Sequence, residues 1–274
     1  KIGDFQPGGS RVMNDLHEVG GVPVVLKELH DAGLLHGDAQ TVTGETMTEA
    51  LTRVDPPAIA DLDVDYLYPV DAPKNEEGAI RILSGNLAPD GAVLKITDAD
   101  DWRFEGTARV FESEEAATEH VQAGHIESGD AIIIRNEGPT GGPGMREMLG
   151  VTAARDGQGH AEDVALLTDG RFSGATRGLS IGHVAPEAAV GGPLAVVQDG
   201  DTIRIDVPER RLAVDLSDAE LEARLDDWSP PEPQYTTGVL AKYAALFGSA
   251  ADGAVTSVFA DPHESTSPGS ASNE

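Results

Sequence analysis

The sequence predicts an α/β fold, in which a helical segment precedes a β-barrel-like domain of short strands flanked by helices. Two observations indicate this. In the first part of the chain, apolar residues recur at spacings of three and four, as in an amphipathic helix. After residue 79, short apolar runs alternate with turns rich in Gly, Pro and Asp. The irregular spacing of these runs favours a barrel or mixed sheet over a regular alternation of strands and helices.

The helical segment comes first. Residues 11–33 are predicted to be helical, with interruptions at Gly20-Gly21 and Pro23. A second helix is predicted over residues 44–54, because Asp55-Pro56-Pro57 cannot continue it. Residues 58–77 are rich in Pro and Asp and are interpreted as a boundary segment, so residues 1–72 form the first predicted region.

Eight short apolar runs are the predicted strands of the second region, residues 73–250. They span residues 79–83, 93–96, 108–111, 131–134, 164–167, 194–197, 202–205 and 212–214. Helices are predicted at 113–123, 217–228 and 238–247, and Ser217 and Glu220 form a capping-box pattern at the start of the second. Residues 251–274 turn to Ser, Gly, Pro and acid, which predicts a flexible tail.

The charge of the chain excludes two classes of partner. It has 48 acidic residues against 19 Lys and Arg, a formal net charge of −29 and a pI of about 4.4. So negative a surface repels nucleic acid and anionic lipid, so neither nucleic acid nor membrane is expected as a partner. The acid is scattered along the chain, which favours a halophilic surface adapted to high salt over an ordinary acidic one.

The chain contains no cysteine. Disulfides, thiolate zinc sites and cysteine nucleophiles are therefore excluded, and the chain cannot ligate an iron–sulfur cluster in the usual way. No apolar run approaches membrane-spanning length and no signal peptide is visible, so we expect a cytoplasmic protein. The chain opens at Lys1 without a Met, which we interpret as the cut edge of a longer protein.

Two glycine-rich turns carry the functional signal, and each follows a short apolar run. The first reads Gly138-Pro-Thr-Gly-Gly-Pro-Gly144. It is neither a P-loop nor a dinucleotide fingerprint, because the following residues and the glycine spacing differ. A stiff structural turn and a turn that holds a small anion both remain open. Glu147 is expected in the first turn of the next helix, either as a partner of the helix dipole or as a metal ligand.

The second turn reads Thr168-Asp-Gly-Arg-Phe-Ser-Gly174, with Ser173 just after the end of a predicted strand. The plain interpretation of Ser173 is a helix N-cap. The functional interpretation is a nucleophile or base whose anion is stabilised by N–H groups of that helix. A Ser hydroxyl needs a nearby positive partner before it can act as a base, so Ser173 alone indicates an incomplete site.

Other polar residues near this turn are ambiguous. Arg171 and Arg177 flank Ser173 and can attract a carboxylate, but ion pairs with the many acids are the favoured interpretation. His183, in Ile181-Gly-His-Val-Ala-Pro186, can line a pocket, but a structural hydrogen bond is favoured. The histidines form no His-x-x-x-His pair with a carboxylate, so a zinc site is not expected.

At these turns the chain resembles the dihydroxy-acid/6-phosphogluconate dehydratase family, over residues 20 to about 256. Five blocks in order carry the resemblance, and the version of the third block favours the branched-chain amino-acid enzymes. The blocks are Gly33-Leu-Leu-His-Gly-Asp38, Gly85-Asn-Leu-Ala-Pro-Asp-Gly-Ala-Val-Leu-Lys95, Gly138-Pro-Thr-Gly-Gly-Pro-Gly-Met-Arg-Glu-Met148, Thr168-Asp-Gly-Arg-Phe-Ser-Gly174 and His183-Val-Ala-Pro-Glu-Ala-Ala-Val-Gly-Gly-Pro193.

The resemblance implies a hydro-lyase that dehydrates 2,3-dihydroxy carboxylic acids to 2-oxo acids. The implied substrates are 2,3-dihydroxyisovalerate and 2,3-dihydroxy-3-methylvalerate, in valine and isoleucine biosynthesis. The implied cofactors are Mg²⁺ and an iron–sulfur cluster, which act as Lewis acids on substrate oxygens. Ser173 matches the family's catalytic proton acceptor, and Glu147 matches a Mg²⁺ ligand.

The departure from the family is the absence of its cluster cysteines, which lie in an upstream half. The resemblance therefore implies the carboxy-terminal part of the enzyme, with residues 1–72 as the helical end of the amino-terminal domain and residues 73–250 as the carboxy-terminal barrel domain. We expect this part alone to be inactive. Its expected partners are the small dihydroxy-acid substrate, the upstream half and further copies in a homo-oligomer.

Two alternatives remain open at this point. One is a sugar-acid dehydratase of the gluconate or xylonate type. The other is a non-catalytic domain that binds a partner, from a split or decayed gene, and the absence of cysteine favours it for this chain in isolation.

Overall fold

The computed structural model describes residues 1–6, 8–96, 102–174 and 176–256. The chain divides into two compact units, Lys1–Ala79 and a second that begins at Ile80. The predicted fold class is confirmed, because a closed eight-stranded barrel with flanking helices follows a helical segment. Within the described residues, none of the helices combines the length and the apolarity needed to cross a bilayer.

The described residues of the first unit form three α-helices, α1 (Met13–Glu18), α2 (Val22–Asp31) and α3 (Met47–Val54), and a 3₁₀ turn at Ile59–Asp61. Gly21 has a φ of 75° and precedes α2, so the Gly20-Gly21 interruption separates two helices as predicted. The predicted start of α3 at residue 44 is wrong. Thr46 caps this helix by accepting from the Glu49 N–H, and the Glu49 side chain accepts from the Thr46 N–H, so the capping box fixes the later start.

The described residues of the second unit form ten strands and the remaining helices. Eight strands close the barrel in the order β1, β10, β9, β3, β4, β6, β8, β2, while β5 and β7 form a separate two-stranded sheet. The strands are β1 (Ile80–Gly85), β2 (Ala88–Lys95), β3 (Arg103–Phe111), β4 (Asp130–Ile134), β5 (Glu147–Met148), β6 (Ala165–Thr168), β7 (Arg171–Phe172), β8 (Ser180–Ala185), β9 (Thr202–Asp206) and β10 (Arg211–Val214).

The central strands β4 and β6 are buried on both faces. Side chains alternate along β4, so Ala131 and Ile133 belong to the core inside the barrel, whereas Ile132 and Ile134 pack in the cluster beneath the helices α4 (Glu114–Gln122) and α5 (Gly150–Gly157). The register pairs β3, β4, β6 and β8 in parallel. These parallel strands explain the near-continuous apolar runs, because a parallel sheet is covered on both sides.

The remaining helices are α6 (Asp218–Asp226) and α7 (Gly238–Leu246). Ser113 and Ser217 cap α4 and α6 through bonds from the third helical N–H, as their sequence patterns predict. Residues 250–252 form a single 3₁₀ turn, and most of the predicted tail lies outside the described residues.

One predicted strand is wrong, and strands β5, β7 and β8 are not among the predicted runs. Residues 194–197 are predicted as a strand, but Pro193–Val196 is a 3₁₀ helix, because Pro193 starts a turn and lacks the N–H that a ladder needs. Strand β8 was not predicted, because Gly182 and His183 resemble a turn. His183 has a φ of 53°, and the pairing of β8 with β2 shifts register at this point, so the strand contains an irregularity where the sequence indicates a turn.

Candidate functional site

A two-stranded ladder joins the two glycine-rich turns. Glu147 pairs with Arg171 and Met148 with Phe172, in parallel. The ladder continues through the backbone N–H of Ser173, which donates to the Met148 carbonyl at 3.1 Å. Glu147 therefore lies in one strand of this small sheet, and Ser173, 26 residues later in the sequence, directly follows the other strand.

The predicted location of Glu147 in a helix is wrong. It lies in β5, and α5 begins three residues later at Gly150. Glu114 accepts the Gly150 N–H at 2.8 Å, so Glu114 is the carboxylate at the start of α5. The Glu147 side chain is exposed and has no hydrogen bond or ion pair in the described part of the chain, so its carboxylate is available to a ligand.

The predicted N-cap role of Ser173 is also wrong. Its carbonyl accepts the Thr176 N–H at 3.0 Å, which forms a turn, and strand β8 follows. No helix begins here within residues 171–174 and 176–185, so helix N–H groups cannot stabilise an anion at this hydroxyl. The Ser173 Oγ itself has no hydrogen-bond partner among the described residues, so its hydroxyl is not used in holding the fold.

Ser173 lines a cavity of about 110 Å³, which we call the Ser173 pocket. The pocket lies between the end of β2, the segment that follows β7, and β8. Its polar side chains are Lys95, Arg171, Ser173, Thr176, Ser180 and His183. The backbone of Gly174, Gly178 and Gly182 completes the wall, so small residues leave the opening clear.

The two cations of the pocket bind backbone carbonyl groups. The Lys95 ammonium donates to the Gly174 carbonyl, and the Arg171 Nε donates to the Met145 carbonyl at 2.6 Å. Neither has a carboxylate within 4 Å among the described residues, so the ion pair that the sequence favoured for Arg171 is wrong. Lys95 was not predicted as a site residue, although it ends one of the five family blocks.

His183 and Thr176 are the other polar groups that lack partners here. Burial and the nearby Arg171 charge lower the pKa of His183, so its imidazole is neutral at neutral pH. No side-chain hydrogen bond to it is present in the described ranges, so the structural role favoured by the sequence is wrong and the pocket-lining alternative is confirmed. The Thr176 Oγ1 is buried and also lacks a partner in the described part.

The first glycine-rich turn has a different environment. Its backbone N–H groups at Thr140 and Gly141 donate to the Glu187 carboxylate at 2.9 and 3.0 Å. Glu187 is buried, and burial raises its pKa. The turn does hold an anion, as one interpretation of the sequence suggests, but that anion is a side chain of the same chain.

A second buried carboxylate holds the base of this turn. Asp169 accepts N–H groups from Asn136, Glu137 and Ala188 at 3.1, 2.9 and 2.9 Å. Burial raises its pKa to about 6, with a further contribution from the nearby Glu187 charge. Asp169 and Glu187 were not predicted as site residues, because nothing in their sequence spacing shows that they converge on residues 136–141.

A buried arginine holds the segment that follows Ser173. Arg155 is completely buried and donates to the Arg177 carbonyl at 2.6 Å and the Val164 carbonyl at 3.1 Å. Burial lowers its pKa, against the nearby Asp156 charge. This arginine joins α5 to the segment between β7 and β8, which contributes Thr176 and Gly178 to the pocket.

The donor groups of the chain fit only part of the metal chemistry that the family resemblance implies. The sequence has no cysteine, so thiolate ligation of an iron–sulfur cluster does not fit this chain. Within the described residues, no group of three or more Asp, Glu or His side chains converges on one point. The free carboxylate of Glu147 fits a single oxygen ligand of the kind that Mg²⁺ takes.

Comparison with known proteins identifies the family of the chain. The model of the dihydroxy-acid/6-phosphogluconate dehydratase C-terminal domain matches residues 65–254, and that of the N-terminal domain matches residues 1–50. The chain therefore belongs to the dihydroxy-acid/6-phosphogluconate dehydratase family, which confirms the resemblance inferred from the sequence.

Three relatives of the chain are dihydroxy-acid dehydratases. The chain is 70% identical to the one from Haloarcula marismortui over 256 residues, which is 93% of this chain and 44% of that protein. It is 65% identical to the one from Natronomonas pharaonis and 55% identical to the one from Renibacterium salmoninarum, over 93% and 92% of this chain and 44% of each relative. The chain thus spans less than half the length of these curated relatives.

Proposed function

We propose that this chain forms part of a dihydroxy-acid dehydratase that acts in valine and isoleucine biosynthesis. The substrates would be 2,3-dihydroxyisovalerate and 2,3-dihydroxy-3-methylvalerate, and the products the corresponding 2-oxo acids and water. The observation that carries this proposal is the β5–β7 ladder. In this ladder Ser173 directly follows the strand that pairs with the strand of Glu147, and each of these two side chains lacks a protein partner in the described part. Ser173 also lines the Ser173 pocket.

In this proposal Ser173 is the catalytic base. Its ionised Oγ accepts the proton from C2, and the electron pair of the broken C2–H bond forms the C2–C3 double bond of the enol. The C3 hydroxyl leaves and takes this proton from the Ser173 hydroxyl to form water, which restores the ionised base, and the enol tautomerises to the 2-oxo acid. Two observations support the assignment. The hydroxyl is not engaged in a hydrogen bond of the described fold, and positive side chains line its pocket, which favours the ionised form of a hydroxyl.

The cofactors of the proposed enzyme are Mg²⁺ and an iron–sulfur cluster. Bound together, they would supply positive charge that polarises the two hydroxyl groups of the substrate. Glu147 would provide one Mg²⁺ ligand. The cluster and the other Mg²⁺ ligands would require residues beyond this chain, so we expect the chain alone to be inactive.

The test of Ser173 uses the enzyme at its natural length, loaded with both cofactors. Ser173→Ala should lower kcat by about 100-fold or more, the range for loss of a general base. Substrate binding, measured by calorimetry, should change little. Exposed Ser84 in β1 provides the matched control, because Ser84→Ala removes the same oxygen from the outside of the barrel. Near-normal turnover of Ser173→Ala would reject the role.

The test of Glu147 is a magnesium titration of the same enzyme. Glu147→Gln should raise the Mg²⁺ concentration that gives half-maximal activity, since the amide is a weaker ligand than a carboxylate. Glu119→Gln, at an exposed position of α4, is the control. An unchanged titration would remove Glu147 from the metal site.

Substrate assays separate the proposal from its alternatives. Turnover of dihydroxyisovalerate in preference to gluconate and xylonate supports the proposed enzyme, whereas the reverse preference supports a sugar-acid dehydratase. Absence of turnover with all three acids, in a preparation with both cofactors bound, supports a non-catalytic partner-binding domain. The names of the relatives favour the first outcome.

We also propose a cytoplasmic, homo-oligomeric enzyme whose acidic surface is adapted to high salt. The support for the last point is the scattered charge of −29, since screening by salt weakens repulsion among exposed carboxylates. An unfolding temperature that rises from low to molar KCl is the expected result, and one that falls would contradict the adaptation.

A further inference from the structure

Lys95 and Arg171 differ from most other cations of the chain. With 48 acidic residues against 19 basic ones, a Lys or Arg readily finds a carboxylate. Arg109 pairs with Asp130 at 3.0 Å, and Arg224 pairs with Asp201 at 2.5 Å. Within the described ranges Lys95 and Arg171 have no such partner, yet both line the Ser173 pocket.

Both cations keep donors free for a ligand. Lys95 lies at the end of β2 and uses one of its three N–H groups on the Gly174 carbonyl. Arg171 lies at the start of β7 and uses only its Nε on the Met145 carbonyl. The other N–H groups of these two side chains make no hydrogen bond in the described structure, so they can bind an anion.

A third observation points to a ligand. The Thr176 Oγ1 is buried without a hydrogen-bond partner in the described part of the chain, and Thr176 lines the same pocket. A buried hydroxyl without a partner is costly, and in native proteins such groups usually bind water, an ion or a ligand. An oxygen atom of a bound anion would give this hydroxyl an acceptor.

The remaining surroundings also favour a small anion. None of the described lining residues is acidic, and the neutral His183 adds no charge of its own. The volume of about 110 Å³ is far below that of sites for drug-sized ligands, which is roughly 300–1,000 Å³. The space therefore suits a group the size of a carboxylate rather than a nucleotide or sugar phosphate.

We infer that Lys95, Arg171 and Thr176 form a subsite that binds the carboxylate of a small organic acid. Its assignment to the acid group of the substrate rests on the proposed function. The C2 atom is bonded directly to the carboxylate carbon. A carboxylate bound here would therefore hold the C2 proton in the pocket that contains Ser173, so the subsite would orient the substrate for the proposed base.

The experiment measures binding of 2-oxoisovalerate to the full chain by calorimetry at low salt, with the neutral isovaleramide as a probe that lacks the charge. The acid should bind and the amide should not. Lys95→Met and Arg171→Met should each weaken binding about tenfold or more, as expected when a charged hydrogen bond is lost. Thr176→Val should weaken it severalfold. Added chloride should compete with the acid.

Lys242 provides the matched control. It is exposed in α7, has no acidic partner in the described part and lies outside the pocket, so Lys242→Met should leave binding unchanged. Because Lys95 also holds the Gly174 carbonyl, Lys95→Arg is needed as a second variant. It keeps the charge and the donors, and should restore most of the binding that Lys95→Met loses. Thermal unfolding of each variant shows whether the fold is retained.

Several results would overturn the subsite. These are equal binding of the amide, no binding of the acid by the wild-type chain, or unchanged binding in folded Lys95→Met and Arg171→Met. Failure of the proposed function is distinct. Weakened binding in these variants together with normal turnover in Ser173→Ala would keep the subsite and reject the base. Loss of turnover in Ser173→Ala with unchanged acid binding in the cation variants would do the reverse.

Discussion

The two glycine-rich regions of the chain have similar composition and opposite environments. In the first turn, residues 138–144, the backbone donors bind the buried Glu187, and Asp169 holds the preceding residues. In the Ser173 pocket, the hydroxyls of Ser173 and Thr176 have no partner within the described structure. The first region is a closed structural unit, and the second leaves its polar groups to a ligand.

The difference shows that glycine content alone does not identify a functional turn. In the first turn the glycines permit close packing, since a Cβ at Gly138 would lie 2.6 Å from a Glu187 carboxylate oxygen. In the pocket, Gly174 has no atom within 4 Å of the position where a Cβ would be, among the residues described. Satisfied polar groups indicate structure, and unsatisfied ones indicate a ligand site.

The largest expected effect is the change in stability with pH that the buried Asp169 causes. Burial raises the pKa of Asp169 from 3.8 to about 6, so the folded state holds its proton more tightly than the unfolded state. The stability from this proton is fully present below about pH 4 and is lost as the pH rises through about 6. The loss amounts to at most about 3 kcal/mol, at 1.36 kcal/mol per pKa unit.

Urea unfolding of wild type and Asp169→Asn across this range is the measurement. The difference in unfolding free energy between them should shift in favour of the variant as the pH rises from about 4 to about 6. The absolute stability of the variant is not the readout, since its amide also disturbs the three accepted N–H bonds. Asp90→Asn, at an exposed position of β2, controls for the loss of one negative charge. Parallel pH profiles for wild type and Asp169→Asn would contradict the raised pKa.

The next effect compares one glycine from each region. A Cβ at Gly142 would lie 2.7 Å from the Glu137 Cα, which is backbone and cannot move aside. We expect Gly142→Ala to lower the unfolding free energy by about 1–3 kcal/mol, the usual cost of overpacking. Gly174→Ala meets no described atom within 4 Å and should change stability by less than about 1 kcal/mol, since Ala also restricts the unfolded chain.

Chemical denaturation of the two alanine variants tests this pair. An equal loss of stability in both variants would contradict the difference in packing, because the pocket would then be packed as tightly as the first turn.

Much of the fold follows from local sequence. Capping serines at 113 and 217 and most apolar runs predict their elements, because these signals act within a few residues. Strand β8 does not follow from such signals. Its Gly182-His183 pair resembles a turn, and only pairing with β2 and β6 makes the segment a strand.

The site is predictable to a smaller extent. Family motifs predict Ser173 and Glu147 as site residues. They do not predict that β5 and β7 pair beside them, since two-residue strands leave no periodic pattern. Asp169 accepts from Glu137, just before the first turn, across 32 residues of sequence, and Glu187 accepts from Gly141 in the turn across 46, which no spacing signal reveals. Lys95, at the end of β2, is also far in sequence from Gly174, whose carbonyl its ammonium binds.

The smallest expected effect is found by comparing two threonines, one with a hydrogen-bonded hydroxyl and one without. The buried Thr168 Oγ1 accepts the Gly170 N–H at 2.9 Å, whereas the Thr176 Oγ1 has no partner in the described part of the chain. Replacing Thr by Val keeps the shape and removes the oxygen. Thr168→Val should cost about 1–3 kcal/mol, because a buried N–H loses its acceptor. Thr176→Val should be nearly neutral, within about 0.5 kcal/mol, or slightly stabilising, because it removes an unsatisfied group.

Denaturation of both threonine variants without ligand, and again with saturating 2-oxoisovalerate, resolves the two environments. Without ligand, only Thr168→Val should lose stability. With ligand, Thr176→Val should gain less stability than wild type, because bound acid stabilises a protein in proportion to the logarithm of its affinity. If Thr176→Val were as costly as Thr168→Val without ligand, the Thr176 hydroxyl would already have a partner in the free protein. The pocket would then be closed like the first turn, and the contrast between the two regions would fail.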